Sequence, residues 1–280
     1  MALAVFFGLF AALFWGAADF TGGVASKRAN VYRVLLTGEW SGLLFLLPLP
    51  FIFHEPLPSW QDLLLSAFAS TSGVFGLAML YRSLSEGQMS VAAPVSALLA
   101  AVIPVIVSVA VDGYPGALKM AGFALTLAAI WLISSDDGIG KALRLRWTAL
   151  RLPLLAGLAF GLYFVLMNIS SRQAAYWPLV SARLAGTLAM AAYLLLTRRP
   201  AAPPRPVFWL AIMCGVLDVI ANASFVLAGQ AGRLDVAAVL GSLYPGTTVL
   251  LAGILLKERL NFSQLAGIAA ALVAIALIAY

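Results

Sequence analysis

Residues 234–280 read LDVAAVLGSLYPGTTVLLAGILLKERLNFSQLAGIAAALVAIALIAY, and the fold follows from how this stretch is punctuated. An apolar span runs through Ser242-Leu243-Tyr244-Pro245, breaks at Lys257-Glu258-Arg259, and resumes as far as Tyr280. At 1.5 Å rise per residue, each span is long enough to cross a hydrocarbon core of roughly 30 Å, so the stretch predicts a membrane hairpin with a charged tip. The same pattern occurs earlier in degenerate form. Ser90-Val91-Ala92-Ala93 stands 145 residues before Asp235-Val236-Ala237-Ala238, and Gly16 and Gly161, Ser26 and Ser171, Gly87 and Gly232, Gly122 and Gly267, Ile130 and Ile275 keep that offset. Gly42 and Gly186 differ by 144. The chain reads as a tandem duplication.

Composition sets the solvent. With 63% hydrophobic and 10% charged residues and a mean hydropathy of +1.01, a chain of 280 residues has too few polar groups to cover a water-soluble globule. Ten apolar spans are predicted as helices near 4–25, 34–53, 62–84, 91–111, 118–135, 152–174, 179–197, 207–229, 236–256 and 261–280. The breaks carry turn signals, as at His54-Glu55-Pro56-Leu57-Pro58 and Asp112-Gly113-Tyr114-Pro115-Gly116. The expected fold is an all-α membrane protein of ten transmembrane helices in two five-helix repeats, at 1–140 and 152–280, joined by a basic connector at 141–151. Five is odd, so the repeats must be inverted relative to one another.

Loops after the odd spans carry thirteen of the seventeen Lys and Arg residues, and those after the even spans only Lys119, Arg172 and Arg233. The positive-inside rule then makes the odd loops cytoplasmic and puts both termini outside, as expected of a multi-pass protein of the cell inner membrane. The net charge of +6 is scattered between spans rather than gathered on a face, which argues against a nucleic-acid partner. One histidine, His54, and one cysteine, Cys214, cannot assemble a His/Cys metal set, and no phosphate-cradling glycine loop with its lysine is present. No metal, cofactor or catalytic residue is expected, and the chain is not read as an enzyme. An intramembrane Asp19/Asp218 dyad is the enzymatic alternative.

Gly241-Ser242-Leu243-Tyr244-Pro245-Gly246-Thr247-Thr248, with Lys257-Glu258-Arg259-Leu260 and Gln264-Leu265-Ala266-Gly267, resembles the closing hairpin of the drug/metabolite transporter superfamily, EamA type, and Phe14-Trp15-Gly16 resembles its opening helix. Two positions depart from the pattern. Gly113 stands where the first repeat would match Glu258, and Glu39 stands where a basic residue is common, as Arg183 is in the second repeat. The resemblance implies a carrier of small metabolites working by alternating access at a central cavity, in the manner of exporters of aromatic and hydrophobic amino acids.

Polar residues within apolar spans are expensive in a bilayer and normally face a bundle interior or a wet cavity. Trp15 and Asp19 share a helical face, as do Asp218 and Asn222. Tyr81, Tyr163, Asn168, Ser242 and Tyr244 complete the candidate substrate site, which would have aromatic walls and a few polar anchors. Several have a structural alternative: packing for Trp15, a helix–helix hydrogen bond or an ion pair with Lys27 or Arg28 for Asp19; Glu39 and Arg183, at matching places in the two repeats, are read as structural pairs and left out of the site on that ground. Pro94, Pro104 and Pro245 are candidate hinges. Gly157-x-x-x-Gly161 has the spacing of closely packed membrane helices. The last helix of each repeat, the most uniformly apolar, is expected at the periphery, against lipid or a second copy, so the protein would be a monomer or a homodimer through these helices.

The function expected is transport of small organic metabolites, above all amino acids including aromatic and hydrophobic ones, with proton coupling through Asp19 or Asp218 left open. The alternatives are efflux of lipophilic cations and carriage of sugar nucleotides or phosphorylated metabolites. The latter would want two or more cavity-facing basic residues, for which Arg183 and Arg82 are the candidates. A non-transporting membrane enzyme or assembly partner is the alternative from another class.

Overall fold

Without water in the hydrocarbon region, a spanning segment must satisfy its backbone groups internally, and every span here does so as a helix. The structure, a computed structural model, describes residues 1–85, 89–134, 147–198, 203–257 and 261–280, without the side chains of 78, 81, 82, 84, 85, 89–94 and 147–149. The side chains of Tyr81, Arg82 and Pro94, most of the expected connector, and Glu258-Arg259 therefore lie outside the described residues.

The first repeat contains α1 (Ala2–Ser26), α2 (Val31–Leu46) with the short α3 (Leu49–Ile52), α4 (Trp60–Ser85), α5 (Met89–Asp112) and α6 (Ala117–Ser134). The second contains α7 (Trp147–Ser170), α8 (Tyr176–Leu196), α9 (Arg205–Ala231), α10 (Leu234–Gly241) with α11 (Tyr244–Leu255), and α12 (Phe262–Ala279). No strand occurs among the described residues. Among the described residues nine stretches are long and apolar enough to cross a membrane, and the 26-residue α4 is the tenth long helix there. The predicted sixth span is displaced: α7 begins at Trp147, inside the stretch expected as connector, and ends at Ser170. Its last turn is closed by Gln230, whose Nε2 donates to Ser171 O at 2.5 Å.

Local chemistry sets the other ends and breaks. The Asn30 side chain caps α2 by accepting from Tyr32 N (3.1 Å), and Asn261 with Gln264 forms a reciprocal capping box on α12 (2.8 and 3.0 Å). Span nine is broken in mid-course between α10 and α11. Pro245 has no N–H to offer Gly241 O, the Leu243 N–H turns tightly back to Leu240 O (3.1 Å), and the Ser242 hydroxyl donates to Ala238 O (2.7 Å).

Helices of one repeat pack chiefly against the other repeat. α1 lies along α9 and along α10 and α11, and its counterpart α7 lies along α4 and α5. α2 meets α9 as α8 meets α4. Two pairs are their own counterparts: α2 with α8, and α6 with α12. This is the contact pattern of a two-fold axis relating the repeats, as expected of inverted repeats. Glycines show it residue by residue. A Cβ at Gly122 would lie 2.7 Å from Ile278 Cγ1, and one at Gly267 would lie 2.8 Å from Ile133 Cγ1, the 145-residue mates of one another. At Gly16 a Cβ would lie 2.6 Å from Tyr244 O, and at its mate Gly161 it would lie 2.6 Å from Ile103 Cδ1, so both close approaches need glycine. Gly157 packs likewise, 2.9 Å from Ser96 O.

The helix pair α6 and α12 stands at one edge, with Phe262, Leu265, Leu272 and Val273 exposed. At the end of the bundle away from Lys27 and Arg28, two clasps tie helix ends together. The Glu55 carboxylate accepts from the N–H groups of Ala175 (2.5 Å), Tyr176 (2.9 Å) and Trp177 (2.9 Å) at the start of α8, where the helix dipole favours a negative charge. Arg233 donates to Asp112 O (3.1 Å) and Gly113 O (2.7 Å) at the end of α5 and pairs with the fully buried Asp235 (2.7 Å). The hydrogen bond to Asp235 holds the Arg233 guanidinium above its ordinary pKa.

Candidate functional site

A cavity of about 270 Å³ opens at the centre of the bundle, lined from eight helices and from both repeats. It gathers six of the nine residues expected at the site: Trp15 and Asp19 from α1, Tyr163 from α7, Asp218 and Asn222 from α9, and Tyr244 from the start of α11. Phe160, Phe164, Ser70 and Gly73 lie among them, and so do Glu39 and Arg183.

The polar half of the cavity is a connected chain. Arg183 pairs through Nη1 with Glu39 Oε1 (2.9 Å) and donates from Nη2 to Asp218 Oδ2. Asn222 Nδ2 donates to the same Asp218 oxygen (3.0 Å) and to the Asp218 carbonyl (2.7 Å), and Tyr163 OH donates to Asn222 Oδ1 (2.6 Å). Residues on α2, α7, α8 and α9 are thereby joined. Gly73 occupies the place in α4 that matches Asp218 in α9, and the Tyr163 ring packs against it at 3.5 Å from its would-be Cβ.

Asp19 stands apart from this chain. It opens on the cavity and has no hydrogen bond or ion pair among the described residues, neither with Arg183 nor with Lys27 or Arg28. Three carboxylates thus face one guanidinium whose charge is already shared by two of them. An arrangement of this kind attracts a cation or an ammonium group and repels a phosphate.

The apolar half is aromatic. Trp15 lies 5.4 Å from Phe164 and 5.7 Å from Phe225, and those two rings lie 4.8 Å apart. A second cavity of about 650 Å³ is lined by Ser108 and Asp112 of α5, Asn168 and Arg172 near the end of α7, and Gly229 and Gln230 of α9. Asn168 is one turn beyond Phe164 along α7, and Gly229 one turn beyond Phe225 along α9.

Three expected residues fall elsewhere. Asn168 lies in this second cavity, not with Tyr163, because a spacing of five rotates it by about 140° around α7. Ser242 is buried with its hydroxyl spent on Ala238 O, and it does not line the cavity. The Tyr81 side chain lies outside the described residues. Glu39 and Arg183 do form the ion pair expected of them, and they form it on the cavity wall. Their matched places in the two repeats were the signal that they meet at the axis.

A ten-span bundle of two inverted five-helix repeats around a central cavity is the architecture of a membrane carrier. The chain belongs to the EamA-like transporter family, which it matches over residues 2–135 and again over 147–280, once for each repeat. It is accordingly a multi-pass membrane protein of a family that transports small molecules. A solved structure, described only as the crystal structure of a protein, is similar with a TM-score of 0.80 over 99% of this chain and 98% of that one, at 16% identity, a likeness of fold alone. No curated protein matches the sequence.

Proposed function

We propose that the protein carries small amphipathic zwitterions, foremost amino acids with aromatic or other apolar side chains, out of the cell across the inner membrane by alternating access at the central cavity. The observation that carries this reading is the unpaired Asp19 carboxylate opposite an aromatic wall and beside a guanidinium. Asp19 receives the substrate ammonium, Trp15, Phe164 and Phe160 receive the side chain, and the Arg183 chain receives the carboxylate. A volume of about 270 Å³ lies just below the roughly 300–1,000 Å³ of ordinary ligand pockets, which suits a single amino acid better than a sugar nucleotide. The basic odd loops face the cytoplasm and both termini lie outside. The exposed face of α6 and α12 meets lipid or a second copy.

Uptake of a labelled amino-acid panel by proteoliposomes tests this, with Trp15→Ala and Asp19→Asn alongside. Saturable uptake of aromatic members, lost in Asp19→Asn, supports the reading. Uptake of lipophilic cations and of no amino acid overturns it in favour of cation efflux, a reading favoured by the same unpaired Asp19.

A further inference from the structure

Glu39 and Arg183 are each followed three residues later by a glycine, in Glu39-Trp40-Ser41-Gly42 and Arg183-Leu184-Ala185-Gly186. Each glycine makes room for the partner's charge. A Cβ at Gly42 would lie 3.3 Å from Arg183 Nε, and one at Gly186 would lie 3.1 Å from Glu39 Oε2. The ion pair is therefore built across the two-fold axis, one member from each repeat, and it ties α2 to α8.

The two carboxylates on Arg183 are held unequally. Asp218 is braced by Asn222 at 3.0 Å, and Asn222 is itself fixed by Tyr163 at 2.6 Å. Glu39 has no partner among the described residues except Arg183, and its Oε2 makes no bond. Ser70 Oγ lies 2.9 Å, and Glu39 Oε2 3.1 Å, from the point where a Gly186 Cβ would sit, so a hydroxyl stands within about 6 Å of that oxygen, across the same small gap. One carboxylate is fixed, and the other can leave.

Building on the proposed amino-acid function, we infer that Glu39 is a placeholder for the substrate carboxylate, which displaces it from Arg183 Nη1. Replacing one carboxylate by another keeps the guanidinium compensated, so the exchange avoids leaving a bare charge inside the bundle. The displaced Glu39 accepts from Ser70. The tie between α2 and α8 then opens when a carboxylate-bearing ligand binds, whereas a ligand without a carboxylate binds beside the intact pair. Glu39 is in this way a specificity determinant that distinguishes zwitterions from simple cations, and it links occupancy to the contact between the repeats.

The test compares wild type with Glu39→Gln in proteoliposomes, measuring KM for a labelled aromatic amino acid and for its carboxamide, which keeps the ammonium and the ring. Removing the competitor lowers KM for the amino acid by roughly tenfold and leaves KM for the carboxamide unchanged. Gly186→Ala, which pushes Glu39 aside without altering any charge, shifts KM the same way, and it decides the matter if Glu39→Gln does not fold. KM values that move together for both ligands, or for neither, overturn the placeholder and leave a structural ion pair. A wild-type protein that takes up no amino acid overturns the proposed function and this inference with it, whereas uptake with unshifted KM overturns the inference alone.

Discussion

Replacing Glu55 strips the start of α8 of its acceptor, and the loss can be worked from the geometry. Three backbone N–H groups, of Ala175, Tyr176 and Trp177, converge on its two oxygens at 2.5 to 2.9 Å. Hydrogen bonds to a charged acceptor are worth ~1.5–3 kcal/mol each, but Glu55 is only half-buried, and water takes over part of the role when it is gone. Glu55→Ala should then cost about 2–3 kcal/mol. At roughly 2–4 °C per kcal/mol for a chain of this order, the melting temperature in detergent should fall by about 5–10 °C. Glu55→Gln keeps one acceptor oxygen and turns an amide NH₂ toward the remaining donors, so it should fall between alanine and wild type. Thermal unfolding followed by tryptophan fluorescence reads the order directly. A fall of less than about 1 °C for Glu55→Ala, or a glutamine variant no better than alanine, would refute the claim that acceptor count at this helix start governs its stability. The point bears on transport because α8 carries Arg183 two turns further on, and a frayed start lets its register drift.

Asp19→Asn should leave the melting temperature within about 1 °C of wild type while reducing uptake of ammonium-bearing ligands, since no partner among the described residues depends on its charge; a large loss of stability would show a partner there. Arg233→Gln leaves the buried Asp235 without its cation and should destabilise by about 3 kcal/mol, and adding Asp235→Asn should recover much of it, a double-mutant cycle read by thermal unfolding. Gly122→Ala and Gly267→Ala each force α6 and α12 apart and should cost about 1–3 kcal/mol. Because both open one interface, the double variant should fall short of the sum; full additivity would mean that the two glycines act independently.

Much of the architecture was legible in the sequence because span length and repeat offset are one-dimensional quantities that the bilayer converts directly into geometry. The mid-span break was less so. Pro245 was a candidate hinge, but the hydroxyl of Ser242 and the tight turn at Leu243 decide that the helix stops there instead of bending, and Pro104 in the matching span leaves α5 continuous. Polar residues one turn apart, Trp15 with Asp19 and Asp218 with Asn222, came together as their spacing predicts, since a shared face in an apolar helix has one favourable direction to point. Asn168 shares no such face with Tyr163 and went elsewhere. Glu39 and Arg183 were legible as a pair but not as cavity residues, because how far an axis-spanning pair lies from the cavity depends on the tilt of α2 against α8, which periodicity does not encode.

The dominance of contacts between the repeats over those within them has a consequence for how the chain is made. Synthesis delivers α1 to α6 to the membrane before any of α7 to α12, so the early helices arrive without their native neighbours. Their packing faces, glycine-lined at Gly16 and Gly122, must remain in lipid or with an insertion factor until the second half is threaded. Assembly is thus late and long-range, and a ribosome stalled in the stretch between the repeats would leave in the bilayer five correctly spanning helices with almost nothing to hold them together.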